Sequence, residues 1–222
     1  MSIDRFEERK ARTEKIVKVL KRLYSVVKSE LHSKTQFQFV VAVILSAQCT
    51  DKRVNIVTTE LFKKYRTPKD FANADSAIFA KEIGSIPFFN NKTKSIIGAA
   101  KMVVEKFGGR VPKTEEELTL LPGVAYKTAH VVLGDLFDIW DGIATDTHVK
   151  RLARKFDLTD NIDLKKISHD LEALIPKKDW RYVNNGLVLY GRYICTAHPH
   201  DCSEHELTKL YPAAAHRWPK TS

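Results

Sequence analysis

A chain of 222 residues, 43% hydrophobic and 29% charged, can bury a core in one large or two small domains and is not disordered by composition. Its 37 Lys and Arg against 27 Asp and Glu leave a net charge of +10, which favours a polyanionic partner such as nucleic acid or an anionic surface. No run approaches the roughly 18 apolar residues of a membrane span, residues 1–12 lack the apolar core of a signal peptide, and Cys49, Cys195 and Cys202 are too few for a disulfide scaffold, so the expectation is an intracellular protein, neither secreted nor membrane-bound.

The apolar spacing is helical nearly throughout. Ile16, Val19, Leu20, Leu23, Val26 and Val27 stripe one helix face near the start. The segment 37–47 is apolar on all sides apart from Gln38 and Ser46, the pattern of a helix in the middle of a bundle. Thr67-Pro68 opens a further helix, and from Lys92 to Phe107 the apolar residues again recur three and four apart. Thr114 with Glu117 reads as a capping box. Asn185-Gly186 lies in a helix-like stretch, the eight prolines, from Pro68 to Pro219, fall between periodic segments, and residues from Pro212 onward look loose apart from Trp218. The result is an all-α chain of about ten helices, none very long, joined by short loops. Two basic runs stand out: Lys92, Lys94, Lys101, Lys106 and Arg110, then Lys150, Arg151, Arg154 and Lys155. Each alone reads as a solvated face; together they favour a phosphate-binding surface.

The chemistry concentrates in Leu120-Leu121-Pro122-Gly123-Val124-Ala125-Tyr126-Lys127-Thr128-Ala129. A short helix ends near Leu120, Pro-Gly turns the chain, and a new helix starts at about Ala125. The turn and the first N–H groups of that helix then face solvent together, an anion site fit for a DNA phosphate; the plain alternative is an ordinary helix–turn–helix corner. Lys127 stands in the first helical turn, where the dipole disfavours a cation, ahead of a stretch that reads as buried. A lysine squeezed there is expected to have a lowered pKa and a nucleophilic neutral amine, whereas one that snorkels to water is not. Asp146, before the periodic Val149, Leu152, Ala153 and Phe156, is placed either as a helix cap or as a carboxylate that accepts a proton and stabilises a developing cation. His130 is read as a helix-surface residue without a role.

The segment from Leu121 to Ala129, followed by Asp146-Thr147-His148-Val149, resembles the helix-hairpin-helix and catalytic aspartate of the endonuclease III DNA glycosylases. Leu45-Ser46-Ala47-Gln48-Cys49-Thr50-Asp51, Phe89-Asn90-Asn91-Lys92 and Gly191-Arg192-Tyr193-Ile194-Cys195 resemble further segments of that family, in the same order. The resemblance implies a six-helix barrel over 30–140 that carries the helix-hairpin-helix, and a second helical domain built from 1–29 and 141–222. It implies double-stranded DNA in the cleft between them, bound by a monomer, with a damaged pyrimidine flipped out of the stack. Lys127 is then the nucleophile at the deoxyribose C1′, Asp146 takes its proton, and an imine leads to β-elimination at an abasic site. Gln48 and Phe88 would fill the gap left by the base; Gly123, Val124, Ala125, Tyr126 and His148 would contact DNA. A cytoplasmic, nucleoid-associated place in a prokaryote follows. A monofunctional mismatch or uracil glycosylase and a non-catalytic helix-hairpin-helix DNA-binding protein are the alternatives.

The chain departs from the family in its iron–sulfur loop, C-x6-C-x2-C-x5-C. Cys195 and Cys202 keep the first spacing, but the next two positions are His205 and Tyr211. No [4Fe–4S] cluster and no other metal is therefore expected, the loop being held by hydrogen bonds and by packing of Tyr193 and Tyr211. Zinc on Cys195, Cys202 and His205 with His198 or His200 is the alternative. Ala125 stands in place of the hairpin's second glycine, and Tyr126 where the family often has Arg.

Overall fold

The computed structural model describes residues 3–24 and 29–218. Val26, Val27 and Pro219 lie outside them. Among the described residues there is helix and no strand, and no helix is long and apolar enough to cross a membrane. The chain divides into two compact units, Ser29–Ile139 and Met1–Lys28 with Trp140–Ser222.

The Ser29–Ile139 unit is built round α2 (Gln36–Ser46), whose residues Phe37 to Leu45 are all buried. Its start is fixed by Thr35, whose hydroxyl accepts from the Gln38 N–H at 3.2 Å. Gln38, the polar residue in that apolar run, is not a flaw in the core. Its Nε2 donates to the carbonyls of Tyr65 (3.0 Å) and Phe62 (3.3 Å), which satisfies the frayed end of α3 (Asp51–Lys64). Two short helices follow, α4 (Pro68–Ala72) and α5 (Ser76–Glu82), and both pack on α6 (Phe89–Lys106). Thr67 and Asp70 cap α4 reciprocally behind Pro68. Phe71 sits fully buried among Phe37, Phe62, Tyr65 and Phe79, and each such ring contributes about 1.5–3 kcal/mol by leaving water. The unit ends with α7 (Glu115–Thr119) and α8 (Tyr126–Phe137), joined by the Pro122-Gly123 turn.

The other unit joins α1 (Ile3–Leu23) to α9 (Thr147–Lys155), α10 (Leu164–Leu174), α11 (Trp180–Tyr193) and α12 (Glu206–Leu210). Ile16, Leu20, Leu152, Phe156, Leu171, Leu187 and Tyr190 form its core. The described residues thus hold twelve α-helices, of which α1 runs 21 residues and α6 18, more and longer than the spacing suggests. As far as it is described, the segment from Pro212 to Trp218 is not loose: Pro212–His216 forms a 3₁₀ turn, and the Trp218 ring lies 3.6 Å from the Lys155 ammonium.

Charge ties α1 to the end of α9. Arg9, only 3% exposed, places Nη2 2.9 Å from both Asp157 Oδ1 and Asp160 Oδ1, while Arg5 and Arg12 reach Asp157 at 3.2 Å. Burial pushes the Asp157 carboxyl up, but the bonds and charge of Arg9, with help from Arg12 and Arg5, outweigh it and hold it below the usual range; Arg9 likewise lowers Asp160. A carboxyl lowered on folding stabilises the fold above its unfolded pKa near 3.9, and that share is lost as pH falls through the lower folded value. Arg9→Met is expected to cost up to about 3 kcal/mol, since Arg5 and Arg12 remain, and to flatten the acid dependence of unfolding below pH ~4. Urea titrations at pH 7 and at pH 3 measure both effects.

Candidate active-site residues

The Ser29–Ile139 unit carries Gln48, Phe88 and the Gly123–Lys127 hairpin; Asp146 and His148 belong to the other unit. Within the first unit, α6 organises all three segments. Phe88 caps its N-terminus in the left-handed region, φ 58°, with its ring 60% exposed. A bulky residue in that region is strained, and the strain presents the ring to solvent. One turn on, the buried Lys92 ammonium donates to the carbonyls of Leu45 (2.8 Å) and Ala47 (2.6 Å), the frayed end of α2. This holds the turn that carries Gln48, itself exposed and left-handed at φ 55°. Burial pushes Lys92 below the usual lysine range. A turn further, Ser95 faces Gly123. Residues 88, 92 and 95 share one helix face, so a single rod sets the spacing of the Phe88 ring, the Gln48 turn and the hairpin. Lys92 stands in a segment that carries the family resemblance, yet nothing in the sequence alone marks it as this brace.

The hairpin turn requires glycine twice over. Gly123 has φ +83°, and a Cβ there would sit 2.8 Å from Ser95 Cβ. Gly123→Ala is expected to destabilise the unit by about 1–3 kcal/mol and to weaken duplex binding, with Ser95→Gly restoring the steric part. Thermal unfolding and DNA titration of the single and double variants check this. The Val124 N–H is already bonded to Leu121 O at 3.0 Å and its side chain is buried, so the turn does not turn all its donors outward as expected. Ala125 starts α8 without a side-chain cap. Tyr126 packs on His130 with ring centroids 4.3 Å apart. His130 is not a surface residue: it is buried, with Nε2 2.8 Å from Glu115 Oε2, and so fastens α8 to the first turn of α7. Lys127 is exposed. The squeeze expected of it is absent: the buried positions of α8 begin only at Ala129 and His130, after its exposed start.

Asp146 is half-buried and is the N-cap of α9, its Oδ1 accepting from the N–H groups of His148 (2.8 Å) and Val149 (2.9 Å). One oxygen is thus given to the cap. His148 lies against Gly191 of α11, where a Cβ would come within 3.0 Å of its ring, so this glycine permits the close approach of the two helices. The basic runs are only partly a surface: Lys92, Arg151 and Lys155 are buried and donate to backbone carbonyls. Tyr193, expected to be a packed residue of the C-terminal loop, is 64% exposed. That loop instead brings Cys195, His200, Cys202 and His205 into a group that could hold a metal ion.

Residues 41–177 match the family model of the HhH-GPD superfamily base excision DNA repair proteins. Endonuclease III of Synechocystis sp. is 44% identical over 206 residues, 93% of this chain and 94% of its own. The chain belongs to the endonuclease III family. Among solved structures, a non-covalent endonuclease III–DNA complex superposes with a TM-score of 0.85 at 33% identity, covering 92% of this chain and 96% of that one. A trapped covalent endonuclease III–DNA intermediate gives 0.84 at 34% identity, covering 90% and 94%. Membership rests on most of the chain's length; the motifs at 45–51, 89–92, 121–129 and 146–149 fall within the residues that the family model matches, and 191–195 lies beyond them.

Proposed function

We propose that this endonuclease III family member is a bifunctional DNA glycosylase and AP lyase acting on duplex DNA that carries an oxidised pyrimidine or an abasic site. The observation that carries the reading is the Leu121–Ala129 hairpin, which sets an exposed lysine in the first turn of an uncapped helix, in a chain 34% identical to an endonuclease III trapped covalently on DNA. The damaged nucleotide leaves the stack, because its sugar carbon is out of reach inside the duplex. Phe88 and Gln48, held by the α6 face, replace the lost stacking and pairing. The hairpin from Gly123 to Tyr126 and the residue His148 contact the backbone.

The neutral Lys127 amine attacks C1′; the N–C1′ bond forms as the glycosidic bond breaks, and the base leaves with the electron pair and takes its proton from water. Asp146 accepts the proton released by the lysine and offsets cationic character on the sugar. Ring opening gives an imine; loss of a C2′ proton then expels the 3′ phosphate, and water releases the lysine. The domain description that the family implies, a six-helix barrel over 30–140 and a second domain from 1–29 and 141–222, is part of this proposal, as are a monomeric state and a cytoplasmic place. No [4Fe–4S] cluster is assigned, since only two of its four thiolates are present.

The test is a panel of duplexes bearing oxidised pyrimidines, uracil, mismatches and abasic sites, scored for base release and for nicking. Both products on oxidised pyrimidines and nicking at abasic sites are expected. Base release without nicking identifies a monofunctional enzyme, and binding without product a non-catalytic one. Affinity should fall roughly 10³–10⁵-fold between ~50 and ~200 mM salt if six to ten phosphates are contacted.

A further inference from the structure

The family's four-thiolate cluster does not fit this loop. The fourth ligand position is Tyr211, whose hydroxyl accepts from Arg217 Nη1 at 3.3 Å and whose ring lies 4.0 Å beneath the Arg12 guanidinium. The third is an imidazole. What the loop offers is one compact donor set: a ligand atom from each of Cys195, His200, Cys202 and His205, all within 4.8 Å of one another.

Two features single out this set, the burial of its thiols and two imidazole nitrogens without partners, although the Cys202 thiol also donates to Ala215 O at 3.9 Å. Cys195 and Cys202 are 0% and 1% exposed. His200 Nε2 and His205 Nδ1 are buried with no hydrogen-bond partner among the described residues. A buried nitrogen left so costs about 1–3 kcal/mol, and two side by side need an account. The tautomer of His200 is decided locally. Its Nδ1 lies 2.7 Å from the His198 carbonyl oxygen, which can only accept, so Nδ1 carries the proton and the buried Nε2 keeps a free lone pair. Orientation of a ring by a carbonyl behind it is the usual support of a metal-bound imidazole. His198, the other candidate, supplies that carbonyl and no ligand.

The loop is also held rigid round the donors. Cys195 N–H bonds Tyr190 O at 2.8 Å, and the buried Arg151 binds the carbonyls of Gly191, Cys195 and Thr196. The His205 N–H closes the second turn on Cys202 O at 3.1 Å.

We propose that Cys195, His200, Cys202 and His205 form a tetrahedral Cys2His2 zinc site, which joins the end of α11 to the start of α12 in place of an iron–sulfur cluster. Zinc–sulfur bonds of about 2.3 Å and zinc–nitrogen bonds of about 2.0–2.1 Å place ligands roughly 3.3–3.8 Å apart, so the set need close by only about 1 Å. A cluster of several irons spreads its ligands wider than one ion does. Both thiols lose their protons on binding, and the two thiolates balance the charge of the ion. All four positions are filled by protein, so the site is structural, not catalytic.

The full-length protein, purified without a metal-affinity step, is expected to carry about one zinc per chain and no acid-labile sulfide. Exchange for Co²⁺ should give the absorption of a tetrahedral ion with thiolate charge transfer. Removal of zinc by a chelator should lower the melting temperature by roughly 10 °C relative to protein with free zinc a thousandfold above Kd. His205→Ala and Cys202→Ser should lose the metal; if either fails to fold, His200→Ala, which spares both thiolates, should bind Zn²⁺ at least ~10-fold more weakly. Four results overturn the proposal: iron with sulfide, a Cys195–Cys202 disulfide, a melting temperature indifferent to Zn²⁺, or zinc retained after loss of both histidines.

Discussion

Lys127→Ala is expected to abolish base release and strand nicking, lowering kcat by roughly 10⁴-fold or more, while the folded protein becomes no less stable. Loss of a covalent nucleophile commonly costs on the order of 10⁶ in kcat, and 10⁴ corresponds to about 5.5 kcal/mol of barrier. Stability should move the other way. Lys127 is exposed in the first turn of α8, where the dipole opposes its charge, and alanine is the better helix former. The change should raise unfolding free energy by a few tenths of a kcal/mol or leave it unaltered. Single-turnover kinetics beside thermal unfolding therefore separate the role from any structural one. A variant as unstable as it is inactive would point to a helix that needs this lysine for folding.

Asp146 serves two roles that can be divided. As the α9 cap it needs an acceptor oxygen; as a proton acceptor it needs a charge. Asn caps a helix about as well as Asp, so Asp146→Asn should keep the melting temperature while base release falls by roughly 10²–10⁴. Asp146→Ala should lose activity equally and cost about 1 kcal/mol of stability in addition. Activity retained in the Asn variant and lost only in the Ala variant would reduce Asp146 to a cap.

Much of this was legible in the residues. The all-round apolar run 37–47 became α2, buried from Phe37 to Leu45 and ending at Ser46, the hairpin helix starts at Tyr126 against an expected Ala125, and Thr67, Thr114 and Asp146 stand at helix starts. What escaped the sequence has a common cause: it depends on which groups tertiary structure leaves unsatisfied. Lys92, Arg151 and Lys155 read as surface charge until the helix-end and loop carbonyls that they serve are in place. His130 looked exposed because its partner, Glu115, is fifteen residues away on α7. The left-handed backbone of Gln48 and Phe88 has no signature in residues that usually avoid it. The face shared by residues 88, 92 and 95 was present in their spacing, but its meaning came only with Gly123 and the end of α2 set beside it. His198 and His200 were interchangeable in sequence; the loop's bend makes one the ligand and the other its support.

The covalent step is the centre of this account, and borohydride tests it directly. Wild-type protein reduced in the presence of an abasic or oxidised-pyrimidine duplex should form a stable protein–DNA adduct, and digestion followed by mass spectrometry should place the sugar remnant on Lys127. An adduct on another amine, or base release with no adduct at all, would contradict it.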